Sequence, residues 1–258
     1  MASNNNEEPD NKSSIDKLKS VTERLRDPNT GCPWDCEQTN ESILPYTLEE
    51  AYEVADAIEN GSVDDLKEEL GDLLFQIMFY TQMASENGEF TFDDVADGVA
   101  EKMISRHPHV FGDIKVNQAS EVYAIWDAQK DKEKVHKGAL DGVTRAIPAL
   151  LRAQKLQKKA AKIGFEWRTS DDAFLKVQEE INEFKEADNA IDKEEEFGDV
   201  LLALVNFGRM EGLDAEEALR KANNKFIKRF EGMERDNPDF KNLTLDEMIE
   251  AWKAQKQK

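Results

Sequence analysis

The feature that most constrains this chain is that it is written twice. The stretch EELGDLLFQ at 68–76 returns as EEFGDVLLA at 195–203. Four further landmarks repeat around it in the same order. GCPW at 31–34 faces GFEW at 164–167, and EEAYE at 49–53 faces EEINE at 179–183. EKMISR at 101–106 faces NKFIKR at 224–229, and WDAQK at 126–130 faces WKAQK at 252–256. Whatever one copy folds into, the other must fold into as well, so the chain is a tandem duplication. The units are expected over 14–134 and 140–258, with a linker at 135–139 in the charged, glycine-bearing stretch DKEKVHKGALDG. Residues 1–13 carry neither the basic nor the apolar region of a signal peptide and read as a disordered polar tail.

Each unit is patterned for helices. In IDKLKSVTERLRD, Ile15, Leu18, Val21 and Leu25 recur at threes and fours, which predicts one apolar face of an amphipathic helix. TLEEAYEVADAIENG predicts a helix capped by Thr47, with Glu50 three residues on, that stops at Gly61. VDDLKEELGDLLFQIMFYTQMASENG predicts a long helix, apolar nearly all round after Asp72 and therefore central. TFDDVADGVAEKMISRHP begins at a Thr or Asp cap and ends before Pro108. The second unit repeats the plan in DDAFLKVQEEINEFKEA, KEEEFGDVLLALVNFGRMEG and LDAEEALRKANNKFIKRFEGM. No stretch alternates as a strand does. About four helices per unit imply an all-α chain of two duplicated four-helix-type bundles.

An acid at the start of such an oily helix is costly unless something pairs with it. Residues three or four apart on a helix share a face, so Glu50 points with Glu53 and Glu69 with Asp72. In the second unit the pairs are Glu180 with Glu183 and Glu196 with Asp199. Glutamates at this spacing ordinarily just solvate a surface. Here one pair opens the most apolar helix of each unit, and both pairs recur, which points to metal. Four converging carboxylates repel unless protonated or bridged by cations, and an all-oxygen donor set suits Mg²⁺ or Mn²⁺. Lys225 with Arg229, and Lys102 with Arg106, repeat in register with the acids. An acid–metal cluster beside a cationic pair is a way to hold a polyphosphate.

Composition excludes other classes. With 55 acids against 34 bases the net charge is −21, a surface that repels nucleic-acid polymers. No apolar run approaches the ~20 residues of a membrane span. Two cysteines, Cys32 and Cys36, make neither a disulfide framework nor a zinc site and suit a reducing cytoplasm. Glu133 and His136 form a single E-x-x-H, whereas a di-iron bundle needs two. His107 and His109 flank Pro108 in the first unit alone and read as structural. Trp34 and Trp167 could anchor a core, while Trp126 and Trp252 lie in polar helices and either pack on their own bundle or stack on a base, packing being favoured.

E-E-x-x-E, E-x-G-D, K-x-x-x-R and the closing W-x-A-Q-K, preceded by RLRDPNTGCPWDCEQT and PYTLEEAYEV, together resemble the MazG family of bacterial nucleoside triphosphate pyrophosphohydrolases. The resemblance spans all but about the first dozen residues. It implies the all-α fold shared with dimeric dUTPases, a homodimer whose helices enclose each site, and Mg²⁺-dependent cleavage of nucleoside and deoxynucleoside triphosphates to monophosphate and pyrophosphate. Broad base tolerance, in nucleotide housecleaning or stress response in the cytoplasm, belongs to the same expectation. By that resemblance Glu180, Glu183, Glu196 and Asp199 are metal ligands in the main catalytic unit, with Glu50, Glu53, Glu69 and Asp72 as a weaker set. Lys176, Asp192, Lys193, Glu194, Glu195, Lys225, Arg229 and Trp252 surround the nucleotide. The first unit has Tyr46 where the second has Lys176. The rival readings are a phosphatase acting at the γ position and a helical regulator that senses nucleotide without turnover.

Overall fold

The computed structural model describes residues 13–116, 118, 121, 122, 125, 126, 129 and 138–256. Within them every regular element is helical. The chain divides into two compact units, Met1–Glu133 and Lys134–Lys258. Glu133, His136, residues 1–12 of the expected tail and 135–137 of the expected linker lie outside the described residues.

The first unit comprises α1 (Ser14–Leu25), α2 (Pro33–Glu37), α3 (Asn40–Asn60), α4 (Val63–Glu86), α5 (Phe92–Arg106) and α6 (Pro108–Phe111). Its long helices start on side-chain caps. Ser62 closes a capping box with Asp65, and Thr91 one with Asp94. As its pattern predicts, α4 is central and packs against α1, α3 and α5. It supplies Phe79 and Met83 to a core completed by Ile43, with Phe75 and Tyr80 packed against it. Arg26 ties the unit together. Its Nε and Nη2 donate to the Glu86 carboxylate (2.9 and 2.7 Å), its Nη1 donates to the Asp35 carbonyl (2.5 Å), and its plane lies 5.2 Å from the Phe79 ring.

Two details differ from the sequence-based expectation. The third helix starts seven residues before Thr47, at a Thr39–Ser42 capping box, and runs through Pro45. A proline in a helix loses a backbone bond and crowds the preceding turn. This one falls in the second turn, where the capping box and the burial of Ile43 offset the loss. Thr47 shares a hydrogen bond with the Tyr80 hydroxyl (2.9 Å) instead of capping. On α1 the buried residue is Thr22, 1% exposed, while Val21 is 43% exposed. The hydroxyl of Thr22 donates to the Leu18 carbonyl (3.0 Å), so its polar atom is satisfied within the helix and the residue can pack.

The second unit comprises α7 (Ala149–Lys162), α8 (Ser170–Glu186), α9 (Ala190–Met210), α10 (Ala215–Asp236) and α11 (Leu245–Gln255). Thr169 caps α8 through a box with Asp172, and Asn189 caps α9 by accepting from the amides of Ile191 and Asp192. Ala173, Val177, Val205 and Met233 form its buried apolar residues. Gln154 of α7 grips the α9–α10 connection, donating to the Leu213 carbonyl (3.1 Å) and accepting from the Ala215 amide (3.0 Å). The α8–α9 pair is the most closely packed in the unit, and it carries the acids.

Candidate active site

The i, i+3 spacing does what helical geometry requires. Glu180 and Glu183 leave one face of α8, Glu196 leaves the first turns of α9, and one carboxylate oxygen from each lies within 4.8 Å of the others. In the first unit the same construction on α3 and α4 brings together Glu50, Glu69 and Asp72. Each trio holds three of the four expected acids. Asp199 stays outside the second trio, although its charge acts on Glu196, and Glu53 stays outside the first while hydrogen-bonding Glu50.

Both clusters are electrostatically strained without a cation. Burial, followed by the charges of Glu180 and Asp199, raises Glu196 above the usual glutamate pKa. Glu183 is raised by burial and by its hydrogen bond to Glu180, against a downward pull from Lys176. Burial raises Glu50 and Glu69 as well, with neighbouring carboxylates adding to it. Oxygen-only donors converging from two helices, and repelling one another, fit a hard divalent cation. Asp192 and Glu195, exposed in the first turns of α9, add further negative charge at Glu196. Lys193 and Glu194 are exposed beside them.

One cation does reach the second cluster. Lys176 Nζ donates to Glu179 Oε1 (2.6 Å) and pairs with Glu180 Oε1 at 2.8 Å. These two carboxylates, Glu179 first, hold the Lys176 pKa above the ordinary lysine range. The equivalent Tyr46 lies edge-on to Trp34, ring centroids 6.0 Å apart.

The cationic pairs sit elsewhere. Arg229 lies over the Trp252 ring at 5.6 Å, and Trp252 packs on Phe226 (5.2 Å). Arg106 lies over Trp126 at 5.3 Å in the matching arrangement. Lys225 is exposed, and among the described residues neither it nor Arg229 forms an ion pair with the acids. Both tryptophans make contacts within their own unit, Trp126 also lying edge-on to the His107 ring at 4.9 Å. Trp34 and Trp167, at 51% and 43% exposed, are not core anchors.

Sequence reasoning missed a pocket of about 430 Å³ in the second unit. Lys176, Glu180 and Asp199 line it on one side, and Phe165, Trp167, Leu202 and Asn206 on others. Glu166 at its edge pairs with Arg209, whose guanidinium also donates to Asn206 Oδ1 (2.7 Å from Nη2). Gln157 of α7 lines it too. Its Nε2 donates to the Leu202 carbonyl (2.8 Å), and its Oε1 is buried with no hydrogen-bond partner. A signal existed in the repeat. In the register that aligns Glu195 with Glu68, Leu202, Ala203 and Asn206 replace Phe75, Gln76 and Phe79. Two of those three are buried in the first unit, Phe79 to 1% exposure. The three smaller residues of the second unit all line the pocket.

The chain matches the family profile described as "MazG nucleotide pyrophosphohydrolase domain" twice, at residues 38–111 and 169–233. It is 47% identical to the nucleoside triphosphate pyrophosphohydrolase of Escherichia coli K12, over 94% of this chain and 97% of that one. It is 41% identical to the nucleoside triphosphate pyrophosphohydrolase/pyrophosphatase MazG of Thermotoga maritima, over 94% and 95%. A crystal structure of a mazG-related protein from Thermotoga maritima aligns at 28% identity and TM-score 0.39, over 45% of this chain and 98% of that one.

Proposed function

We propose, for a chain that belongs to the MazG nucleotide pyrophosphohydrolase family, that it hydrolyses nucleoside and deoxynucleoside triphosphates to the monophosphate and pyrophosphate, and that its second unit carries the reaction. The observation that carries the reading is the trio Glu180, Glu183 and Glu196, with a pocket of about 430 Å³ lined by Glu180 beside it. Asp199 would complete the ligand set from the next turn of α9.

Mg²⁺, with Mn²⁺ as substitute, would supply charge neutralisation for the triphosphate and acidify an attacking water. The chain's own residues do the remainder. Glu180, Glu183, Glu196 and Asp199 would hold the cations. Lys176, tied to Glu179 and Glu180, would supply a positive charge beside the triphosphate. Lys225 and Arg229 would complete the cationic side once a second subunit is present. Water adds to the α-phosphorus, the Pα–O–Pβ bond breaks, and pyrophosphate leaves. One carboxylate of the cluster takes the water's proton.

A homodimer is part of the same reading. Phe197, Leu201 and Leu204 on α9 are 53%, 39% and 45% exposed in the single chain, on the helix that carries two of the acids. Among the described residues no helix is long and apolar enough to cross a membrane. A cytoplasmic housecleaning role with broad base tolerance is the corresponding biological setting. A linker over residues 135–139, between units at 14–134 and 140–258, is part of the proposal.

The test is one incubation of the purified protein with dGTP and Mg²⁺, products resolved by ion exchange beside a chelator control. Monophosphate and pyrophosphate, lost on chelation, are expected. Diphosphate and phosphate would assign a γ-phosphatase instead, and no turnover across the common nucleotides would assign a sensor.

A further inference from the structure

We infer that the salt bridge between Glu166 and Arg209 positions the aromatic segment 164–167 as a platform on which the base of the triphosphate stacks, whichever base it is. The inference rests on the pyrophosphohydrolase reading for its ligand. It adds two positioning residues, Glu166 and Arg209, and one contact residue, Trp167.

The segment is fixed at both ends by backbone. At the end of α7 the Phe165 amide donates to the Ala160 carbonyl and the Gly164 amide to the Ala161 carbonyl, both at 3.0 Å, with Gly164 at φ +89°. This is a Schellman closure, and glycine suits its left-handed position. Beyond the segment, Thr169 opens the capping box of α8.

Its middle is held by charge. One Glu166 carboxylate oxygen takes the Arg209 guanidinium of α9, and the other accepts from the Trp167 amide at 3.2 Å. Arg209 is aimed in turn by Asn206, whose Oδ1 accepts from Nε at 3.2 Å and from Nη2 at 2.7 Å. The Arg209 and Glu166 side chains are 14% and 26% exposed, so either one alone would be a poorly solvated charge. The pair ties Trp167 to the helix that carries Glu196 and Asp199.

What the pair ties down is open to a ligand. Phe165 and Trp167 are 80% and 43% exposed, and both line the pocket of about 430 Å³ together with Lys176, Glu180 and Asp199. Exposed aromatic residues sharing a pocket with a candidate metal-and-phosphate site suit the base end of a nucleotide. Every base has a π-face, so stacking supplies affinity without reading hydrogen-bonding edges, in keeping with broad base tolerance. The repeat carries a matching difference. Aligned on GCPW and on Glu68, the first unit has Pro33 for Glu166 and Gln82 for Arg209, and Gln82 donates to Glu86 instead (3.0 Å). The unit that lacks Lys176 also lacks the pair.

The experiment measures dissociation constants by calorimetry, with Mg²⁺ and the full-length protein. The ligands are dATP and dCTP analogues with a methylene bridge between the α- and β-phosphorus, and inorganic tripolyphosphate, which has no base. Trp167→Leu is expected to weaken both nucleotide analogues roughly tenfold and to leave tripolyphosphate unchanged. Arg209→Met and Glu166→Gln are expected to do the same, since an amide has one acceptor oxygen where this carboxylate uses two. Combining those two substitutions is expected to add nothing to the larger single effect, because both act through one bond. Wild-type analogue affinity in Trp167→Leu, or in both Arg209→Met and Glu166→Gln, would overturn the proposal. So would a loss confined to one of the two bases, or an equal loss of tripolyphosphate. Glu166→Gln decides the positioning role if Arg209→Met does not fold. Turnover of unmodified dATP is followed separately: phosphate in place of pyrophosphate, or no product, would refute the reaction reading and leave these binding ratios standing.

Discussion

Lys176 Nζ stands 2.8 Å from Glu180 Oε1, in salt-bridge contact with a glutamate that is only 7% exposed. Two consequences follow from one turn of helix. The pair leaves one buried acid compensated when no cation is bound, and it stations a positive charge where a triphosphate must arrive. The first unit, with Tyr46 at that position, has neither.

Replacing Lys176 by Met keeps much of the side chain's apolar bulk and removes the charge. Loss of a charge-assisted hydrogen bond to phosphate is expected to lower kcat/KM roughly ten- to a hundredfold. Steady-state kinetics check it. An unchanged kcat/KM would remove Lys176 from the site.

Both acid trios are expected to bind divalent cations, whichever of them supports turnover. Calorimetric titration with Mn²⁺ should show a higher stoichiometry in wild type than in Glu69→Gln or Glu196→Gln, each of which impairs one trio. Wild-type melting temperature should rise with added Mg²⁺, since a ligand that binds only the folded state stabilises it. Chelation should reverse the shift.

The Arg26–Glu86 pair gives a pH-dependent prediction away from the site. Its hydrogen bonds, first from Arg26, hold the Glu86 pKa below the usual 4.5 of a glutamate. A lowered folded-state pKa contributes stability that is present above the unfolded value and is lost as pH falls through the folded one. Glu86→Gln should therefore cost about 1 kcal/mol at pH 7, discounted because Glu86 is one-third exposed. The difference should shrink toward zero in acid, as the pH falls through the lowered folded-state value. Denaturant melts at pH 7 and in acid measure it.

Much of this was legible in the residues. The acids that open the apolar helices α4 and α9 disclosed both clusters, because a charge in an oily context needs a partner wherever the chain goes. The helix pattern gave the all-α class for the same reason, as periodicity of three to four survives any tertiary arrangement. Thr47 misled the start of α3, since the helix begins at a capping box of Thr39 and Ser42 and runs through Pro45. Thr22 was hidden by its type, its burial depending on a hydroxyl bond to its own helix. The pocket was least legible. Gln157 lies on a different helix from the acids and reads as one more polar residue of an amphipathic helix, and the orientation of Asn206 is set by Arg209.

The most direct test of the central claim compares turnover of one triphosphate by Glu196→Gln and Glu69→Gln at saturating Mg²⁺, with folding verified by circular dichroism. The two substitutions remove the same kind of carboxylate from corresponding places in the two units. Loss of activity by roughly a hundredfold or more in Glu196→Gln, with Glu69→Gln close to wild type, is predicted. The reverse pattern would contradict the assignment of catalysis to the second unit.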